Sequence, residues 1–198
     1  MKIYLSPSNQ ENNKGTGNYG TEEQYCNIIA TKVEANLKKY GLEVYRNNPK
    51  SSLESIVSDS NSLDVNLHVA IHTNANNGNS RGCEVYCHRF GSEGEKLARK
   101  IYSNIAKLTP TADRGVREGY NFYGQEKHMY ELAYTLSPAC LIEIAFHDNV
   151  DDVMFLLDNQ DNIANAISNG IIEHVGILSN YILKSDVIKL LQELITKI

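Results

Sequence analysis

Residues 66–75 read NLHVAIHTNA, and the chain is organised around them. Val69 and Ile71 alternate with His68 and Ala70 at the period of a strand. The run then turns polar and flexible through Thr73, Asn74, Ala75, Asn76, Asn77 and Gly78. His72 therefore belongs at a strand tip. A second run ends the same way: residues 139–146, ACLIEIAF, set Glu143 among apolar neighbours and give way to His147, Asp148 and Asn149. Ligands of open α/β sheets gather outside the carboxyl ends of the strands. Two such tips, each with a titratable group, point to one shared site.

Working outward, strands and helices alternate. Residues 2–6 (KIYLS) are a short strand, stopped by Pro7 and the polar, Gly-rich stretch 8–20. Thr21 is placed to cap a helix opening on Glu22 and Glu23, with Gln24 completing an approximate capping box and Ile28, Ile29, Val33 and Leu37 forming its apolar stripe. Gly41 ends that helix, and residues 42–45 (LEVY) return as a strand. Residues 53–63 predict a second helix, 82–88 (GCEVYCH) a strand, and 94–108 a helix closed by Pro110. Residues 113–116 and 120–123 read as a loop and a weak edge strand, 130–132 as another weak strand, and 150–157 and 162–183 as helices. The order predicts an α/β fold, a mixed twisted sheet sandwiched by helices in a single domain over residues 1–183. Residues 184–198 differ. Val187, Ile188, Leu191, Leu194, Ile195 and Ile198 would make one apolar face of an amphipathic C-terminal helix, to dock on the body, to pair two copies as a homodimer, or to open a linker to a second module.

Composition narrows the classes. At 198 residues and 41% hydrophobic the chain can fill one core. A net charge of −5, with no run of Lys or Arg longer than two, argues against nucleic acid or an anionic membrane as partner. Cys26, Cys83, Cys87 and Cys140 lack a CxxC spacing and read as buried thiols. The opening MKIYLSPSNQENN has too short an apolar run for a signal peptide, and no segment approaches the ~20 apolar residues of a membrane span, so synthesis in the cytoplasm is expected.

A Glu in a first helical turn, a His at one strand tip and a Glu at another are the ingredients of a hydrolytic zinc site. Each also has an ordinary structural role open to it. A buried His can be a satisfied core residue, and a Glu at a helix start complements the dipole.

The order of the pieces narrows this further. Gly20-Thr21-Glu22, then Ala70-Ile71-His72-Thr73-Asn74-Ala75, Gly82-Cys83-Glu84-Val85-Tyr86, Asp113-Arg114-Gly115-Val116, and the run from Pro138 through Glu143 and Phe146 to Asn149 resemble, in that sequence, the zinc-dependent N-acetylmuramoyl-L-alanine amidases of the amidase-3 type. The resemblance spans residues 2 to about 183. It implies that Glu22 and His72 bind Zn2+ and that Glu143 is the catalytic carboxylate. Glu22 is preferred to Glu23 because it keeps the family's spacing to Ile29, Ala30 and Val33. One departure stands out: the family's first zinc-binding His follows the first strand, and Asn9 occupies that position here. An amide oxygen is a weaker zinc ligand than imidazole. His147, four residues past Glu143, is the expected substitute, with Asn9 and Gln10 as rivals. His68 is no rival, since four strand residues at ~3.3 Å each carry it about 13 Å from His72.

The implied reaction is metal-dependent hydrolysis of the amide between the muramic acid lactyl group and L-alanine in peptidoglycan, with Asn74, Tyr120, Tyr123 and Tyr130 as substrate contacts. Two other readings stand beside it: a catalytically degenerate wall-binding module, and a zinc peptidase of other specificity. A wall amidase without a signal sequence looks like a phage endolysin, or a lysin released at mother-cell lysis, acting on a Gram-positive wall after release, and the amphipathic tail suggests a homodimer or a second, wall-binding domain.

Overall fold

A computed structural model describes residues 1–110, 114–177 and 195. Six strands form one sheet in the order β2-β1-β3-β6-β4-β5: β1 (Lys2–Pro7), β2 (Glu43–Arg46), β3 (Leu67–Asn74), β4 (Glu84–Cys87), β5 (Val116–Glu118) and β6 (Ala139–Phe146). β2, β1, β3 and β6 run parallel; β4 is antiparallel to β6 and parallel to β5. The mixed sheet predicted from the sequence is thus present, with the parallel strands β1, β3 and β6 central and covered on both faces. Such burial favours near-continuous apolar runs like ACLIEIAF.

Alternation along the strands divides the core in two. Ile3, Leu5, Val69, Ile71, Cys140, Ile142 and Ile144 turn to one face, where helices α1 (Glu22–Lys39), α3 (Glu93–Ile105) and α6 (Gln160–Val175) pack. Close approach of α3 and α6 depends on Gly170, where an added Cβ would lie 2.5 Å from the Ile101 Cα. α5 (Val150–Asp158) packs between β6 and α6. The opposite face carries Ala70, Tyr86, Ala139 and Leu141 under Met129 and Leu132, and Tyr4 under Ile56 and Val65. It is covered by α2 (Leu53–Ser62) and the five-residue α4 (Tyr130–Tyr134). His68, His72 and Glu143 share strand parity with Ala70 and Leu141, so they belong to this second, more thinly covered face.

Local signals account for the element ends. Thr21 caps α1 in a complete capping box, accepting from the Gln24 N–H while the Gln24 side chain accepts from the Thr21 N–H. Gly41 takes φ +74° after the helix, a value that an L side chain rarely adopts. Two expectations are corrected. Residues 130–132 are the start of α4 and not a strand, because Tyr130 and Leu132 alternate over too short a window to tell the two periods apart. The edge strand is Val116–Glu118, while residues 120–123 form a turn beyond it. Asp113 and the C-terminal segment 184–198, apart from residue 195, lie outside the described residues.

Candidate active site at the strand tips

Register brings the site together. His72 on β3 pairs with Glu143 on β6, and Glu143 pairs with Glu84 on β4, so three titratable side chains form a row across adjacent strands on one face. Glu22 arrives from the first turn of α1. Its Oε1 accepts a hydrogen bond from His72 Nδ1 at 2.9 Å, and its Oε2 accepts from Asn13 Nδ2 at 2.8 Å. Glu22 is 1% exposed. Its backbone N–H donates to the Asn13 carbonyl at 2.9 Å, so the loop before the helix and the helix start hold each other.

These contacts set the charges. Burial raises the Glu22 carboxyl, but the hydrogen bond and charge of His72, with Asn13 and Ser8, override it and hold the group below its usual range. Burial disfavours a charged His72 ring, yet the bond to Glu22 and the field of Glu143 carry it up to about 9. Glu143 goes the other way. Burial first, then repulsion from Glu22 and Glu84, exceed the help from His72 and push it up to about 8. Its Oε2 is buried and has no hydrogen-bond partner among the described residues. A carboxyl held near neutrality with a free oxygen is equipped to exchange a proton with something that enters.

Glu84 is differently employed. It accepts from Asn74 Nδ2 at 2.9 Å, and the Nε atoms of Arg117 and Arg114 lie 2.9 and 3.3 Å from its other oxygen. Two guanidinium groups thus hold Glu84 in place beside Glu143.

A cavity of about 280 Å³ opens on this row, lined by Asn9, Gln10, Leu53, His72, Tyr123, Met129, Tyr130, Glu131, Leu141 and Glu143. A larger, shallower cleft of about 650 Å³ adjoins it and shares Asn9 and Gln10; its other walls are residues 11–13, Glu23 and residues 49–51. The chemistry belongs to the smaller one, which holds the His and the unpartnered carboxylate.

The expected site residues separate accordingly. Glu22, His72 and Glu143 come together, and Glu23 faces the other cleft. His147 does not join them. Its Nδ1 is bonded to Thr73 Oγ1 at 3.0 Å and its ring stacks on Tyr19, with centroids 5.5 Å apart, because Thr73 and His72 project to opposite faces of β3. Tyr123 and Tyr130 line the cavity. Tyr120 is taken up between His128, stacked at 4.4 Å, and the Arg89 guanidinium, 3.2 Å from its ring centroid, while Asn74 serves Glu84.

Three residues were not singled out from the sequence. Asn13 gave no signal within its polar loop. Glu131 and Glu84 did, each being a carboxylate inside an apolar run as Glu143 is. Glu131 lines the cavity and is 4% exposed, and its Oε1 accepts from His68 Nε2 at 2.7 Å. His68 Nδ1 in turn meets Ser60 Oγ at 2.8 Å. His68 is thus a hydrogen-bonded core residue, as its distance along the strand suggested.

The donors suit part of the shell of a divalent zinc ion: an imidazole and a carboxylate in contact, beside a buried carboxylate oxygen with no partner of its own. Among the described residues no three His, Cys, Asp or Glu side chains are grouped to hold a metal. A third protein donor would have to be of another type.

Comparison with known proteins agrees with the fold. The family described as N-acetylmuramoyl-L-alanine amidase (Amidase_3) matches residues 3–173. Among characterised relatives, the N-acetylmuramoyl-L-alanine amidase LytC of Bacillus subtilis (strain 168) is 29% identical over 181 residues, which cover 87% of this chain and 35% of LytC. The chain therefore spans about a third of that relative's length. Among solved structures, the catalytic domain of CwlV, an N-acetylmuramoyl-L-alanine amidase from Bacillus (Paenibacillus) polymyxa var. colistinus, superposes with a TM-score of 0.78 at 25% identity, covering 89% of this chain and 99% of that one. An endolysin catalytic domain targeting Clostridia difficile superposes at 0.71 and 22% identity, covering 87% of this chain and 97% of that one, a likeness of fold.

Proposed function

Since this chain belongs to the N-acetylmuramoyl-L-alanine amidase family matched over residues 3–173, we propose that it hydrolyses the amide between the muramic acid lactyl group and L-alanine of peptidoglycan. The observation that carries the reading is the Glu22–His72 pair beside Glu143, which lines the same cavity as His72 and whose Oε2 has no hydrogen-bond partner among the described residues. Glu22 and His72 would hold zinc. When bound, that ion supplies acidity to a water molecule and polarises the scissile carbonyl.

The side chains of the protein account for the remaining requirements. Glu143 Oε2 takes the proton released as water attacks and delivers it to the leaving nitrogen, and its elevated pKa lets the same group serve as base and then as acid near neutrality. Asn13 fixes the Glu22 carboxylate from behind, as outer-shell partners of metal ligands do. The rim formed by Tyr123 and Tyr130 offers apolar, hydrogen-bonding surface for sugar or peptide.

The test is a digest of purified peptidoglycan by the wild type and by Glu143→Gln. New N-terminal alanine, with intact glycan strands released from their stem peptides, is the expected product, absent with the variant. New termini within the stem peptide would instead make the protein a peptidase. Wall affinity without any release would make it a binding module.

A further inference from the structure

The chain lacks a histidine where the resemblance places one, and two loop amides, Asn9 and Gln10, line the cavity near that position. Asn9, at the missing position, is tethered through its Nδ2, which donates to the Ser51 carbonyl at 2.8 Å. Gln10 lines the cavity with His72 and Glu143. Its Oε1 and Glu22 Oε2 accept from the same Asn13 Nδ2, at 2.7 and 2.8 Å, so one amide group sets the glutamine oxygen beside the Glu22 carboxylate.

The backbone holds that arrangement. The Gln10 N–H donates to Ser8 Oγ at 3.3 Å, the Asn13 N–H to the Gln10 carbonyl at 3.2 Å, and the Glu22 N–H to the Asn13 carbonyl at 2.9 Å. A flexible side chain thereby starts from a fixed root, which lowers the entropy lost in ordering it. Among the described residues no third His, Cys, Asp or Glu joins Glu22 and His72 as a metal-binding group, which leaves the place to an amide oxygen.

We propose that the side-chain oxygen of Gln10 is the third protein donor, with Glu22 and His72, of a single divalent-cation site, and that Asn13 positions it. This rests on the zinc reading above and adds the identity of the ligand that replaces the family's first histidine. One imidazole, one carboxylate and one amide oxygen make a harder donor set than two imidazoles and a carboxylate, so zinc binds less tightly and manganese competes better than at a site with the second imidazole.

Zinc affinity, read by competition against a chromogenic chelator with the metal-free full chain, tests this without recourse to activity. Gln10→Ala should weaken binding by about tenfold or more, on the scale of ligand and outer-shell losses. Gln10→His should tighten binding and lower the preference for manganese, while Asn9→Ala should leave zinc affinity within about twofold of wild type, as expected of a group outside the shell. Gln10→Glu, nearly the same shape with a charged donor, should tighten it too, and serves if the alanine variant folds poorly. Wild-type affinity in Gln10→Ala, beside loss in His72→Ala, would overturn the assignment of Gln10 and leave the zinc reading standing. A wild type that binds no zinc would overturn both.

Discussion

Replacing Glu143 by Gln should remove activity and, in the same molecule, stabilise the metal-free protein at neutral to alkaline pH. The folded protein holds this carboxyl up to about 8, because burial and the charges of Glu22 and Glu84 outweigh His72. An unfolded glutamate ionises near 4.5, the value from which the group is raised. Between those values the folded chain keeps a proton that the unfolded chain releases. Each pH unit in that window therefore favours unfolding by about 1.4 kcal/mol. The summed effect at pH 8 reaches roughly 4–5 kcal/mol for a fully buried group. Glu143 is partly open to the cavity, and screening by water brings the expected difference to about 2–4 kcal/mol. Glutamine has no proton to lose, so its stability profile lacks this slope. The two proteins should be nearly equal at about pH 4.5 and diverge steadily above it. Urea unfolding in the presence of EDTA, repeated across that range, measures the divergence directly. Wall hydrolysis by the variant, with zinc restored, should fall by about 10²–10⁴. Superimposable stability profiles for wild type and variant would show that Glu143 ionises freely in the fold, and the account of it as a proton carrier tuned by burial would fail.

Other perturbations probe the surrounding structure. His68→Ala strands the buried Glu131 carboxylate and should cost about 3–5 kcal/mol in chemical denaturation, the usual penalty for breaking a buried pair; a loss below about 1 kcal/mol would mean that water reaches Glu131. Burial raises the Glu131 carboxyl, but the bond and charge of His68, and the charge of His72, hold it below its normal range. Its contribution to stability is therefore present above the unfolded pKa and lost as pH falls through the depressed folded one, so Glu131→Gln should flatten the acid limb of the stability curve. His147→Ala should leave zinc content unchanged and cost about 1–3 kcal/mol, through the lost bond to Thr73 and stacking on Tyr19. Loss of an equivalent of zinc in that variant would return His147 to the ligand set.

Local chemistry was legible wherever it repeats over many residues. The run ACLIEIAF occupies β6 without a residue's difference, and Thr21 with Gln24 marks the start of α1, since hydrophobic period and capping are written in neighbouring residues. His72, Glu143 and Glu22 stood out because each interrupts or borders such a pattern. Convergence is another matter. Whether His147 joins Glu22 and His72 depends on the parity of β3 and on a register joining strands about seventy residues apart. The antiparallel placement of β4, which sets Glu84 beside Glu143, and the folding of residues 130–134 as a helix that brings Glu131 to His68, likewise arise from packing between distant segments. The sequence by itself determined the strands, the helices and the residue types that reach the strand tips. The tertiary structure decided which of them share a cavity, because strand pairing and helix packing act across the whole chain and leave no periodic trace within any one segment.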